Sequence, residues 1–160
     1  MKILGIDPGL NITGYGLIEA SGNRLRLLEA GIIKTSVSSG IQNRLNKIYK
    51  GLLGLIREQR PEVMVLEKLY THYRHPTTAC LLGHVRGVIC FLSAQENLDF
   101  FEYSPKRIRK SILGKGGASK LQVKRMVEHI FKLKDDSLTL DTSDALGLAV
   151  AHANMLKVKI

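Results

Sequence analysis

The period of apolar and polar positions changes along the chain. Lys2-Ile3-Leu4-Gly5-Ile6-Asp7 is a short, nearly continuous apolar run, the pattern of a buried strand. Pro8-Gly9-Leu10-Asn11 is a turn signal. Residues 13–19 and 25–34 read as two more strands, joined at Ser21-Gly22-Asn23. Three successive strands with short turns predict an antiparallel meander, followed by a polar linker over residues 36–40. Ile41, Leu45, Ile48, Leu52 and Ile56 then recur at steps of four, three, four and four. That is one apolar face of a helix, ending before Pro61.

Val63-Met64-Val65-Leu66 is a short buried strand closed by Glu67. Residues 70–76 read as a loop. Residues 77–95 form a helix that is apolar nearly all round, hence central; its Gly83 and Gly87 share one face. Residues 98–103 are a fifth strand. Ser104-Pro105 is an N-cap with proline at the first helical position, and Ser119-Lys120-Leu121-Gln122 is a capping box opening a helix through Lys132. Residues 141–156 are a last helix. Three strands followed by alternating helices and strands predict an α/β fold, a five-stranded mixed sheet with helices on both faces. At 160 residues the chain reads as one domain over 1–160.

Composition narrows the class. Apolar residues are 44% and charged residues 24%, which excludes a disordered, collagen-like or disulfide-scaffold chain. The longest run without Asp, Glu, Lys or Arg is residues 145–156, short of the ~20 residues a membrane span needs. No secretory signal pattern opens the chain, so a cytoplasmic protein without a membrane association is expected. Cys80 and Cys90 belong to no paired-cysteine motif and read as reduced core thiols. His72 and His75 are three apart, but nothing nearby completes a zinc set.

The net charge of +10 suggests a polyanionic partner. Its distribution says more. Residues 103–127 hold Lys106, Arg107, Arg109, Lys110, Lys115, Lys120, Lys124 and Arg125 and no acid. The remainder carries 16 basic and 14 acidic residues, so nearly all the excess lies in this segment. Gly114-Lys115-Gly116-Gly117 sits in its middle, where backbone N–H groups could approach phosphates. A solvated basic face is the plainer alternative.

The carboxylates supply the candidate chemistry. Asp7 and Glu67 each end an apolar strand, at the edge where open α/β sheets hold ligands. Asp141 and Asp144 are three apart on one helix face, whose neighbours Ala145 and Leu148 direct it inward. Crowded acids repel and need a counter-charge, which a hard divalent cation such as Mg2+ provides. Two such ions ~3.5–4 Å apart serve phosphodiester displacement by water, with no protein nucleophile. The glycines of Gly5-Ile6-Asp7-Pro8-Gly9 and Thr13-Gly14-Tyr15-Gly16 leave room beside Asp7.

These two strings, Glu67 at a strand end, and Asp141 and Asp144 followed by Ala145-Leu146 resemble the RuvC family of Holliday junction resolvases, of the ribonuclease H-like superfamily, over essentially the whole chain. The resemblance implies a ribonuclease H-like fold and a homodimer that resolves four-way DNA junctions in recombination and repair by paired symmetric nicks. The products would be a 5′-phosphate and a 3′-hydroxyl. Asp7, Glu67, Asp141 and Asp144 would be the catalytic, metal-binding acids, with two Mg2+ ions per site, replaceable by Mn2+. Asp7 would lie between the ions and Asp141 nearer the attacking water. Lys120 matches a lysine that contacts DNA near the scissile phosphate. Arg109 stands where the family often has lysine, a planar fork in place of a point charge. Tyr70, with Tyr73 beside it, matches an aromatic that stacks on bases. Lys106, Arg107 and Lys115 are further expected DNA contacts. A junction-binding protein and a hexameric branch-migration motor are the implied partners.

Three other readings share some of these features. An actin-like ATPase has a similar phosphate loop but needs a second lobe. A related ribonuclease H-like nuclease could act on another structured nucleic acid. A non-catalytic basic DNA-binding protein would explain the basic segment but not the four acids, and it would need no Mg2+.

Overall fold

A computed structural model describes residues 1–68 and 76–157. Its strands are β1 (Lys2–Asp7), β2 (Ile12–Ser21), β3 (Arg24–Lys34), β4 (Val63–Glu67) and β5 (Asp99–Tyr103). Its helices are α1 (Ile41–Gln59), α2 (Pro76–Gln95), α3 (Pro105–Leu113), α4 (Lys120–Ile130) and α5 (Leu140–Lys157). The sheet order is β3-β2-β1-β4-β5. β1 pairs antiparallel with β2 and parallel with β4, and β5 extends the parallel half. This is the expected mixed five-stranded sheet.

Strand alternation sorts the core into two layers. Ile3, Ile18, Val63 and Val65 pack with α3, α4 and α5; Leu4, Ile6, Leu17, Met64 and Leu66 pack with α1 and α2. Ile48, Leu52 and Ile56 are buried on α1, as their spacing predicts, although Ile41 at its start is exposed. Both expected caps form. The Ser104 hydroxyl oxygen accepts from the Arg107 amide with Pro105 at the helix start, and the Ser119–Gln122 capping box is complete in both directions.

The central helix is α5, not α2. Eleven residues of α5 are buried, from Thr142 to Ala153, against four on α2. Gly5 and Gly16 explain the difference. A Cβ on Gly5 would stand 2.0 Å from the Ala145 carbonyl oxygen, and one on Gly16 would stand 2.6 Å from the Leu146 side chain. The helix backbone therefore lies directly on the bare strands. α2 instead buries Val85, Ile89 and Leu92 and exposes Phe91 and Leu81. Cys80 and Cys90 are accordingly exposed free thiols, not core thiols. Among the described residues α2 is also the one helix long and apolar enough to cross a bilayer. Arg86 breaks its charge-free run near the middle. Here its inner face packs on the sheet and Arg86 ion-pairs with Glu102 of β5.

Candidate nuclease site

Alternation also aims the acids. Asp7 follows Ile3 and Gly5 on the α5 face of β1, and Glu67 follows Val63 and Val65 on the same face of β4. β1 and β4 are parallel neighbours with Ile6 opposite Leu66, so both carboxylates leave the same end of the sheet side by side. Across the antiparallel pair Asp7 faces Gly14, where a Cβ would stand 2.2 Å from the Asp141 carbonyl oxygen. That bare position lets the first turn of α5 close over β1 and β2, bringing Asp141 and Asp144 to Asp7.

The electrostatics register the crowding. Burial pushes the Asp7 carboxyl up to about 7, helped by the charges of Asp144, Glu67 and Asp141 and opposed by Lys120. Glu67 is raised as well, chiefly by burial, with Asp144 adding and Lys120, Arg109 and Arg86 opposing. Lys120, at the start of α4, forms a hydrogen-bonded ion pair with Asp144. Burial works against its charged form, but Asp144, Asp7 and Glu67 together hold its pKa above the ordinary lysine value. Arg109 of α3 lines the same recess as Glu67, Lys120 and Asp144. A cleft of about 240 Å³ beside it is lined by Asp7, Glu67, Lys68 and Arg86 among others.

The donor set suits a hard cation: Asp7 lies within charge–charge reach of Glu67, Asp141 and Asp144, and burial with these neighbours holds its pKa at about 7 despite Lys120. Among the described residues no set of three His, Cys, Asp or Glu side chains stands close enough together to hold a metal ion. Mg2+ does not require one, since it keeps waters and takes only one or two carboxylates beside substrate phosphates.

The basic segment is divided by the fold. Arg109 and Lys120 stand beside the acids. Lys106 and Lys115 are exposed at the glycine loop, where Gly116 packs on the Lys106 side chain. Arg107 lies over the Tyr103 ring at 5.0 Å. Lys124 turns inward and binds Asp136 at 2.6 Å, with buried Glu128 at 3.7 Å, so its charge is withdrawn from the outer basic face. Tyr70, with Tyr73, His72 and His75, lies outside the described residues.

The family model for the crossover junction endodeoxyribonuclease RuvC matches residues 3–152. The chain belongs to the RuvC family. A relative of that name from Alkaliphilus oremlandii is 38% identical over 165 residues, covering 99% of this chain and 100% of its own. One from Histophilus somni is 38% identical over 154 residues, covering 96% of this chain and 80% of its own. Among solved structures, Thermus thermophilus RuvC in complex with a Holliday junction substrate superposes with a TM-score of 0.92 at 28% identity, over 99% of this chain and 96% of that one. The ribonuclease H-like arrangement of sheet and helices expected from the motifs is thus the fold of the family.

Sequence reasoning passed over Arg86. It is the one Asp, Glu, Lys or Arg in the 20 residues of α2, and a lone charge in an apolar helix is the signal that marks it.

Proposed function

We infer that this chain is a divalent-metal-dependent crossover junction endodeoxyribonuclease that binds and resolves four-way DNA junctions. The observation that carries the reading is the meeting of Asp7, Glu67, Asp141 and Asp144 at one sheet end, with Lys120 and Arg109 beside them, in a chain of this family. Asp7, Glu67, Asp141 and Asp144 would hold the metal, Asp141 helping to hold the ion nearer the attacking water. Bound there, two Mg2+ ions would stabilise the attacking and leaving oxygens of an in-line displacement, Mn2+ serving in their place. Asp7 and Glu67, set at the ends of neighbouring strands, would meet the developing charge with little reorganisation at the moment of reaction. Lys120 and Arg109 offer the scissile phosphate a point charge and a planar fork. Lys106, Arg107 and Lys115 would track neighbouring phosphates, and Tyr70 would stack on a base near the crossover. Cleavage would leave a 5′-phosphate and a 3′-hydroxyl.

Paired nicks need two such sites, and α2 suits a two-fold partner. Its Phe91 is 64% exposed, and at Gly83 and Gly87 a Cβ would meet nothing within 4 Å. Such a bare stripe beside a large apolar side chain admits a second helix closely. A junction-binding protein and a hexameric branch-migration motor would work with the dimer on DNA in the cytoplasm.

Cleavage of a synthetic four-way junction tests the reading, beside a linear duplex and an RNA–DNA hybrid, with Mg2+ and with chelator. Paired nicks in the junction alone, and only with Mg2+, are expected. Equal cutting of the linear substrates, or cutting in chelator, would overturn it.

A further inference from the structure

The end of β4 is held from the opposite layer. Past Leu66 the β1–β4 ladder stops, and the residue after Asp7 is Pro8, which has no N–H to donate. The Glu67 carbonyl oxygen accepts instead from Arg86 Nη1 of α2 at 2.6 Å. The other terminal nitrogen of that guanidinium ion-pairs with Glu102 on β5, and the Arg86 side chain is only 11% exposed. One planar group thus spans α2, the last residue of β4 and the neighbouring strand β5. Lys68 continues the same seam, its amide donating to the Tyr103 carbonyl at 2.8 Å.

We propose that Arg86 is a positioning residue for Glu67: its guanidinium, anchored on Glu102, clamps the Glu67 main chain so that the side chain leaves the end of β4 from a fixed point beside the metal site. This rests on the metal-holding role of Glu67 in the resolvase reading. The clamp acts through the backbone, so it fixes where the side chain starts without occupying either carboxylate oxygen. Both oxygens stay available to a cation. A cation placed on the carboxylate itself would compete with the metal; one placed on the carbonyl does not. Arginine is required rather than lysine, because two acceptors on different strands need two N–H groups in a fixed plane. The clamp also ties the site to α2, whose outer face exposes Phe91 and Leu81.

The test is Mn2+ affinity of the DNA-free protein by calorimetry, for wild type, Arg86→Gln, Arg86→Lys and Glu102→Gln, with Asp7→Asn as reference. Partners that orient a metal ligand typically govern ~10–100-fold in affinity or activity. Arg86→Gln should weaken Mn2+ binding by about that factor and lower kcat while KM for the junction stays constant. Arg86→Lys should recover part of the loss, and Glu102→Gln should shift affinity the same way by less. A residue of purely structural importance would lower the melting temperature and leave the Mn2+ affinity of the folded fraction unchanged; that result overturns the clamp. If Arg86→Gln does not fold, Glu102→Gln decides, and wild-type affinity there overturns it equally. Mn2+ binding that survives Asp7→Asn unaltered would instead undo the metal reading of the acids.

Discussion

Lys120 Nζ donates to Asp144 Oδ2 across the gap between α4 and α5, and its charge also reaches Asp7 and Glu67. The lysine is thereby the site's resident counter-ion. It is also the basic group best placed to meet a phosphate arriving at the acids.

Lys120→Ala should weaken junction binding and cut cleavage together. Removing one cation that neutralises a phosphate reduces the slope of log K against log salt by about 1, so a salt titration of binding in chelator checks it. An unchanged slope with an unchanged cleavage rate would remove Lys120 from the interface.

Asp7 makes the metal-free fold sensitive to pH in an unusual direction. Its pKa is about 7 in the folded chain against an ordinary 3.8, so the folded state binds this proton more tightly than the unfolded one. The stability it contributes is complete below pH 3.8 and is lost as pH rises through about 7. The swing is roughly 4 kcal/mol at ~1.36 kcal/mol per pKa unit. Asp7→Asn should abolish cleavage, keep junction binding, and melt higher than wild type at pH 8 in chelator. Added Mg2+ should narrow that gap; denaturation with and without the metal measures it.

Gly14→Ala should fail for a reason that is not chemical. Its methyl group would stand 2.2 Å from the Asp141 carbonyl oxygen, and backbone rather than a pliable side chain must move. A loss of ~1–3 kcal/mol is expected from overpacking, with cleavage lost beyond what the unfolded fraction explains. Gly54→Ala in α1 is the control: nothing lies within 4 Å, and helix propensity should gain up to ~1 kcal/mol.

Gly87→Phe separates folding from assembly. The position is open in the single chain, so the variant should still fold, with a circular dichroism spectrum like that of the wild type. A partner helix packed over that stripe would be displaced, and sedimentation should show a shift from dimer towards monomer. A dimer of wild-type affinity would place the two-fold contact elsewhere.

Much of this was legible in the residue pattern. The meander, the alternation of strands and helices, both helix caps and the four acids at strand ends and on an inward helix face followed from period and turn chemistry. The ranking of α2 and α5 did not. Its apolar composition makes α2 look central, whereas α5 carries Asp141, Ser143, Asp144, His152 and Asn154. What decides burial is the surface opposite: Gly5, Gly14 and Gly16 give α5 a bare seat, and its polar groups find partners. The Ser143 hydroxyl donates to the Leu140 carbonyl, and His152 Nδ1 meets the Tyr103 hydroxyl at 2.8 Å. Lys124 escapes a charge count for a related reason, because its partners Asp136 and Glu128 lie outside the basic segment. The acid pair on β1 and β4 was easier to find because strand alternation is local and strict in its period.

The first strand supplies Asp7 and the last helix supplies Asp141 and Asp144. The basic segment, residues 103–127, lies between these two elements in the chain, so the acids are gathered from either side of it. The four acids come together only where α5 settles on the glycines of β1 and β2. Packing and assembly of the acids are therefore one event: a chain that fails to seat α5 loses much of one core layer and both Asp141 and Asp144 together.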